Sequence, residues 1–123
     1  ADYAIAGCGI TGKVPSNVPL PLAGTVPEVG TTSVEALTKC GAPWDVTKNL
    51  TIVITSGSGG TGLIGVQLAK AYGGGTVVTA ASGATNIALV KSFGADSVID
   101  YKVENIFDAM PNNSIDVVYD NYG

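Results

Sequence analysis

The stretch that most constrains this chain is a β-branched apolar run that ends in a glycine cluster and passes at once into a helical pattern. It reads L-T-I-V-I-T-S-G-S-G-G-T-G over residues 50–62, and Gly57, Gly59 and Gly62 satisfy G-x-G-x-x-G. Between a strand and a helix, the first glycine permits a sharp turn and the second lets backbone approach a phosphate. The third lets the helix pack closely on the strand. The helix start then points N–H groups and the positive end of its dipole at an anion. Glycine runs also occur in plain turns, so the weight of the motif rests on its flanks. A P-loop is excluded, because no Lys-Ser or Lys-Thr follows Gly62.

The flanks repeat one alternation. Strands are predicted over 51–55, 76–81, 97–101 and 115–120, and helices over 60–72 and 85–93, with a short helix or turn over 104–110. Gly94 is placed to end the second helix in a left-handed cap. Strands alternating with helices of this length mean βαβ units and a parallel sheet. Right-handed crossovers give the spatial order 3-2-1-4. Upstream, Val26, Val29, Val34 and Leu37 keep a helical period, with Pro27 in the first turn and Gly41 as the stop. Residues 42–49 read as a polar connector carrying the only tryptophan, Trp44. Residues 1–24 interleave short apolar runs with Gly and Pro, which predicts strand and loop without helix.

Composition removes several function classes. A chain of 123 residues, 46% hydrophobic and 13% charged, has room for one packed domain with a modest core. Its net charge of −4 with six basic residues argues against nucleic-acid binding. The absence of histidine removes the commonest general base and metal ligand. Cys8 and Cys40 lie far apart without C-x-x-C spacing and read as buried or idle thiols, so no metal site is expected. Free thiols also favour a reducing compartment, cytoplasm or organelle, over secretion. No window reaches the roughly 20 apolar residues of a membrane span, and residues 1–4 lack the basic start of a signal peptide. Asp116 and Asp120 flank an apolar strand and do not form a catalytic carboxylate pair. No residue is assigned a catalytic role.

A second test lies about 20 positions beyond the last glycine, at the end of the second strand. Counting from Gly62 leads to Ser82. An Asp or Glu here would bind a ribose 2′-hydroxyl, and none is present. A small hydroxyl residue leaves space and a donor for a 2′-phosphate, which favours NADP over NAD. No Arg stands nearby; Lys91, further along the next helix, could supply charge, although it reads more readily as a solvated helix cation.

At this point the residues carry a family resemblance. S-G-S-G-G-T-G (residues 56–62) resembles the A-x-x-G-G-x-G signature of quinone oxidoreductases in the medium-chain dehydrogenase/reductase superfamily, with Ser56 in place of alanine. V-Q-L-A-K (66–70) is similar to that family's first Rossmann helix. L-V-K-S-F-G-A-D-S-V-I-D-Y-K (89–102) is similar to its stretch into the third strand, and D-V-V-Y-D-N-Y-G (116–123) to its fourth strand, where Val is more usual than Tyr122. V-P-E-V-G-T-T-S-V-E-A-L (26–37) resembles the helix joining catalytic and cofactor domains, and A-D-Y-A-I-A (1–6) a late strand of the catalytic domain.

The resemblance implies an α/β fold: the first half of a Rossmann fold with a short β/loop remnant of the catalytic domain. Its parts are the remnant (1–25), a connecting helix and loop (26–49) and a partial dinucleotide-binding domain (50–123). It implies NADPH as cofactor. The loop Gly57, Ser58, Gly59, Gly60, Thr61 and Gly62 would hold pyrophosphate, chiefly through the N–H groups of Gly59, Gly60 and Thr61. Ser82, Asn86 and Tyr101 match positions around the adenosine ribose and 2′-phosphate, with Asn86 standing where many relatives have Lys. Thr32 matches a threonine near the nicotinamide, and Asn121 lies beside the nicotinamide ribose. Tyr101 and Tyr119 also read as aromatics packing the sheet.

The implied reaction is hydride transfer to a small-molecule quinone or α,β-unsaturated carbonyl. The chain reads as a piece of such an enzyme, with the fourth strand an apolar edge for a protein partner or a second copy to cover. Two other readings stay open. One is a non-enzymatic docking subunit built from a truncated Rossmann domain; the other is an NAD-dependent alcohol dehydrogenase, which would bind NADH more tightly than NADPH.

Overall fold

Each β-branched run of the alternating region forms a strand, and each of the first three is followed by a helix that packs on the sheet. The structure, a computed structural model, describes residues 3–122. Two short helical pieces come first: a 3-10 turn at Cys8–Ile10 and α1 (Leu20–Ala23). Then follow α2 (Pro27–Lys39), β1 (Thr51–Ile54), α3 (Gly60–Ala71), β2 (Thr76–Ala81) and α4 (Ala84–Ser92). The chain continues through β3 (Ser97–Asp100), α5 (Ile106–Ala109) and β4 (Val117–Tyr119). The four strands make one parallel sheet in the order β3-β2-β1-β4, as the crossover rule predicts.

Strand alternation sends side chains to two separate cores. On one face Ile52, Ile54, Val77 and Ala81 pack with Val66 and Ala69 of α3, Leu37 of α2 and Val90 of α4. On the other face Val53, Val78 and Ala80 lie under Ile106, with Met110 and Ile115 beside them. An all-parallel sheet needs both faces covered. The second face gets only the single turn of α5 and its flanking loops. Val118, which pairs with Val53 on edge strand β4, is therefore 42% exposed.

Helix ends follow their local chemistry. Pro27 opens α2, and Gly41 at φ 91° lies just past its end. Gly94 at φ 108° closes α4 in the left-handed conformation expected of it. Asp96 ties the start of β3 to its neighbours, accepting the Val77 N–H at 2.6 Å and the Lys70 ammonium at 3.0 Å.

The first segment departs from expectation. Of the strand expected near its start, Ala1 and Asp2 lie outside the described residues, and Tyr3–Ala6 take irregular structure rather than strand. Residues 20–23 form a helical turn where none is expected. This segment pairs with neither edge of the sheet, β3 or β4. Tyr3, Ile5, Ile10 and Leu20 are consequently exposed. The connector likewise holds an unexpected 3-10 turn, Val46–Lys48, capped by the Asp45 side chain. Among the described residues no helix is long and apolar enough to cross a membrane.

Candidate functional site

The carboxyl ends of parallel strands form the crevice where open α/β sheets bind ligands, at the point where strand order reverses. Here that point lies between β1 and β4, and the glycine loop follows the end of β1. Ser56 takes φ 51°, a left-handed conformation that costs a non-glycine residue strain. Gly57 N–H then donates to the Ala80 carbonyl and Gly59 N–H to the Ser56 carbonyl, both at 2.9 Å.

The three glycines have different reasons to lack a side chain. A Cβ on Gly57 would run into the Thr79 side chain of β2, and one on Gly62 into the Ser56 carbonyl. The left-handed turn therefore sits at Ser56, and Gly57 serves close approach to the next strand; this corrects the role expected for the first glycine. Gly59 is the exposed N-cap of α3, and a Cβ there would stand 3.2 Å from the Ser56 carbonyl. Gly60 faces Val29 of α2, where a Cβ would lie 3.2 Å from the valine methyl. No side chain caps α3. Its first-turn N–H groups, those of Gly60, Thr61 and Gly62, thus have no helical acceptor. An uncapped helix start reached through an exposed glycine fits a phosphate group.

A cavity of about 700 Å³ opens beside this loop, within the range of small-molecule sites. Its wall includes Ser58 and Gly59 from the loop, Ala80 from β2, Tyr101 after β3, Phe107 on α5 and Tyr122 after β4. The three aromatics are exposed and give the mouth flat apolar surfaces. The far wall is fixed by polar contacts: Thr55 donates its hydroxyl to Asp120 at 2.6 Å and accepts the Asn121 N–H at 2.7 Å. Asn105 caps α5 by accepting the Phe107 N–H at 2.9 Å.

Of the residues singled out in the sequence, Ser58, Gly59 and Tyr101 share this cavity, and Gly60, Thr61 and Gly62 begin the helix behind it. The others do not line it. Thr32 is exposed and donates its hydroxyl to the Glu28 carbonyl of its own helix at 2.9 Å. Asn121 turns its amide onto the Thr55 carbonyl at 3.2 Å. Ser82 is buried at the end of β2, with Asn86 donating to its carbonyl at 3.1 Å. Lys91 lies in the last turn of α4, roughly 10 Å along the axis from the helix start at 1.5 Å per residue.

Sequence reasoning missed several groups. Register pairs Ala81 with Asp100, so a carboxylate from β3 stands at the end of β2 where none is visible in the local sequence. The Lys102 N–H donates to that carboxylate at 3.0 Å, and this bond, with the neighbouring Ser82 hydroxyl and the Lys102 charge, holds its pKa below the ordinary value. Thr55, Asp120, Asn105 and Phe107 were missed too. For Thr55 a signal exists, as the residue closing a strand just before a glycine loop. Asp116 and Asp120 fall at opposite ends of β4, so they form no pair. Tyr119 packs into the sheet core with its hydroxyl 3.3 Å from the Ser33 hydroxyl. Cys8 and Cys40 are free and exposed rather than buried; Cys40 closes α2 at its outer end. Among the described residues no three His, Cys, Asp or Glu side chains gather in a way that could hold a metal ion.

Comparison with known proteins agrees with this geometry. The family described as zinc-binding dehydrogenase matches residues 60–123. A chloroplast envelope quinone oxidoreductase homolog of Arabidopsis thaliana is 44% identical over 104 residues, covering 83% of this chain and 31% of the relative. The quinone oxidoreductase structure from Coxiella burnetii superposes with a TM-score of 0.77 at 31% identity, over 89% of this chain and 32% of that one. A mycobacterial protein in complex with NADPH superposes with a TM-score of 0.66 at 35% identity, over 78% of this chain and 28% of that one. The chain spans less than a third of the length of each of these.

Proposed function

The chain belongs to the zinc-binding dehydrogenase family, as a quinone oxidoreductase-like member of the medium-chain dehydrogenase/reductase superfamily, and from that premise we propose that it forms the NADPH-binding part of a quinone or enone reductase. The observation that carries this reading is the uncapped start of α3, reached through exposed Gly59 and opening onto the 700 Å³ cavity. The described residues offer no zinc site, and no step is assigned to a metal.

In this reading the N–H groups of Gly60 and Thr61 receive the pyrophosphate, while Gly59, whose own N–H is used on the Ser56 carbonyl, leaves the approach open. Gly57 and Gly62 keep the loop tight against β2 and β1. Tyr101 and Phe107 offer flat surfaces for the adenosine half, and Ser82 and Asn86 border its ribose. The Thr55–Asp120–Asn121 contacts hold the loop after β4 beside the nicotinamide half. The bound cofactor supplies the hydride; the protein supplies position and electrostatics. A quinone contains the same C=C–C=O unit as an enone, so either accepts hydride at an electron-poor carbon. NADPH support comes from the mycobacterial complex and from the absence of an acid on β2 itself; quinone support comes from the Arabidopsis relative and the Coxiella structure.

The test is NADPH oxidation by the full chain with para-benzoquinone or methyl vinyl ketone, beside a direct NADPH binding titration. Binding with turnover supports a reductase. Binding without turnover limits the chain to holding cofactor, and no binding by the folded chain favours a docking role.

A further inference from the structure

On the reading that the first turn of α3 receives a pyrophosphate, which this step deepens, we propose that Ser33 of α2 is a positioning residue for the dinucleotide. Its hydroxyl, together with that of Tyr119, holds that turn in the direction that meets the phosphates.

Ser33 is fully buried, and its oxygen meets polar atoms from three elements. The Val29 carbonyl of its own helix lies at 2.8 Å, the Thr61 carbonyl of α3 at 3.0 Å and the Tyr119 hydroxyl of β4 at 3.3 Å. Carbonyls only accept, so the single Ser33 proton is needed on their side. Tyr119 is therefore the donor of the third contact, and its proton falls on a Ser33 lone pair. Thr31 and Thr32, the neighbours of Ser33, bond the carbonyl four residues back in their own helix. The reach across to Thr61 sets Ser33 apart from them.

Thr61 belongs to the turn that faces the ligand. Its carbonyl shares one rigid peptide plane with the Gly62 N–H, so a bond that holds the carbonyl also sets where that N–H points. The Gly62 N–H is one of the first-turn groups without a helical acceptor. One residue earlier, Gly60 rests on α2 as well: a Cβ there would stand 3.2 Å from the Val29 methyl. Two residues of α2 thus bear on two successive residues of α3. Tyr119 is equally fixed. A Cβ on Gly65 would stand 2.9 Å from its ring, so α3 lies directly on that ring. The Tyr119 carbonyl accepts the Thr55 N–H at 3.1 Å, just before the glycine loop begins.

Calorimetric titration of the full chain with NADPH and with NADH tests this in wild type, Ser33→Ala, Tyr119→Phe and Val77→Ala. Val77 is buried near the amino end of β2, away from the loop, and controls for lost stability alone. All are titrated at a temperature where circular dichroism shows them folded. Ser33→Ala should weaken both dinucleotides about 5- to 10-fold at unchanged stoichiometry, the scale of one hydrogen bond. Tyr119→Phe leaves the bond to Thr61 and should weaken both about 2- to 3-fold. The pyrophosphate is common to the two, so the NADPH-to-NADH ratio should hold, and Val77→Ala should bind as wild type does. A structural role alone would lower the number of sites and spare the dissociation constant. Wild-type affinity in folded Ser33→Ala, an equal loss in Val77→Ala, or a loss confined to one dinucleotide would overturn the inference alone. Should Ser33→Ala not fold, Tyr119→Phe decides by the same criteria. If the folded wild type binds neither dinucleotide, the inference falls together with the reading beneath it.

Discussion

The Thr55 hydroxyl donates to the Asp120 carboxylate at 2.6 Å, joining the carboxyl ends of β1 and β4 across the crevice. The same oxygen accepts the Asn121 N–H, so one side chain serves as both donor and acceptor. Thr55→Val keeps the shape and removes both bonds. We expect a loss of about 0.5–1.5 kcal/mol in urea unfolding, the net worth of an ordinary hydrogen bond, since Asp120 is exposed and water can replace the lost partner. NADPH affinity should fall with it, because the loop after β4 loses its anchor.

Gly59 and Gly62 differ in kind. Gly62→Ala sets a methyl against the Ser56 carbonyl, a backbone atom that cannot move without distorting the loop. Thermal melts should show a loss of roughly 2 kcal/mol or more, within the range for overpacking. Gly59→Ala meets nothing closer than 3.2 Å, at an allowed backbone conformation of φ −76°. It should melt within about 1 kcal/mol of wild type while losing dinucleotide affinity. Equal destabilisation of both variants would contradict the distinction.

Ser33 and Tyr119 form a buried hydroxyl pair between α2 and β4. The Ser33 oxygen lies 2.8 Å from the Val29 carbonyl, 3.0 Å from the Thr61 carbonyl and 3.3 Å from the Tyr119 hydroxyl. Ser33→Ala removes a partner of a buried tyrosine and should cost about 1–3 kcal/mol. Adding Tyr119→Phe to it should cost less than Tyr119→Phe alone. A double-mutant cycle by denaturant unfolding measures this, and strict additivity would mean that the pair does not interact.

Asp96 gives the fold an acid dependence. Partial burial works to raise its pKa, but the Val77 N–H and the Lys70 ammonium outweigh it and hold the group below 3.8. A depressed carboxylate stabilises the fold fully above its unfolded value, and that contribution disappears as pH falls through the folded value. Melting temperatures of wild type should therefore drop on acidification below 3.8 more steeply than those of Asp96→Asn. The variant should start lower at neutral pH, and the two curves should converge in acid.

The parallel order of the sheet was legible because β-branched runs and helical periods alternate without interruption from Thr51 onward. The glycine loop was legible for the same reason: it lies where a strand becomes a helix. What escaped the sequence depends on neighbours brought in by the fold. Gly57 lacks a side chain because of Thr79, a residue on the next strand. Asp100 meets Ser82 only through the register of two parallel strands, 18 positions apart in the chain. The segment at 3–6 has strand-like residues but pairs with neither edge of the sheet. The family resemblance placed Thr32 and Asn121 near the nicotinamide; their side chains here bond to Glu28 and Thr55, off the cavity wall.

The central claim is that the glycine loop of this chain holds a nicotinamide dinucleotide. Calorimetric titration of the full chain with NADPH, in parallel with Gly59→Ala, tests it most directly. The account predicts saturable binding by wild type and at least a roughly tenfold loss in the variant, the equivalent of 1.4 kcal/mol, with both proteins giving the same folded circular dichroism spectrum. A folded wild type that shows no saturable binding up to millimolar NADPH, or a Gly59→Ala variant that binds as tightly, would contradict it.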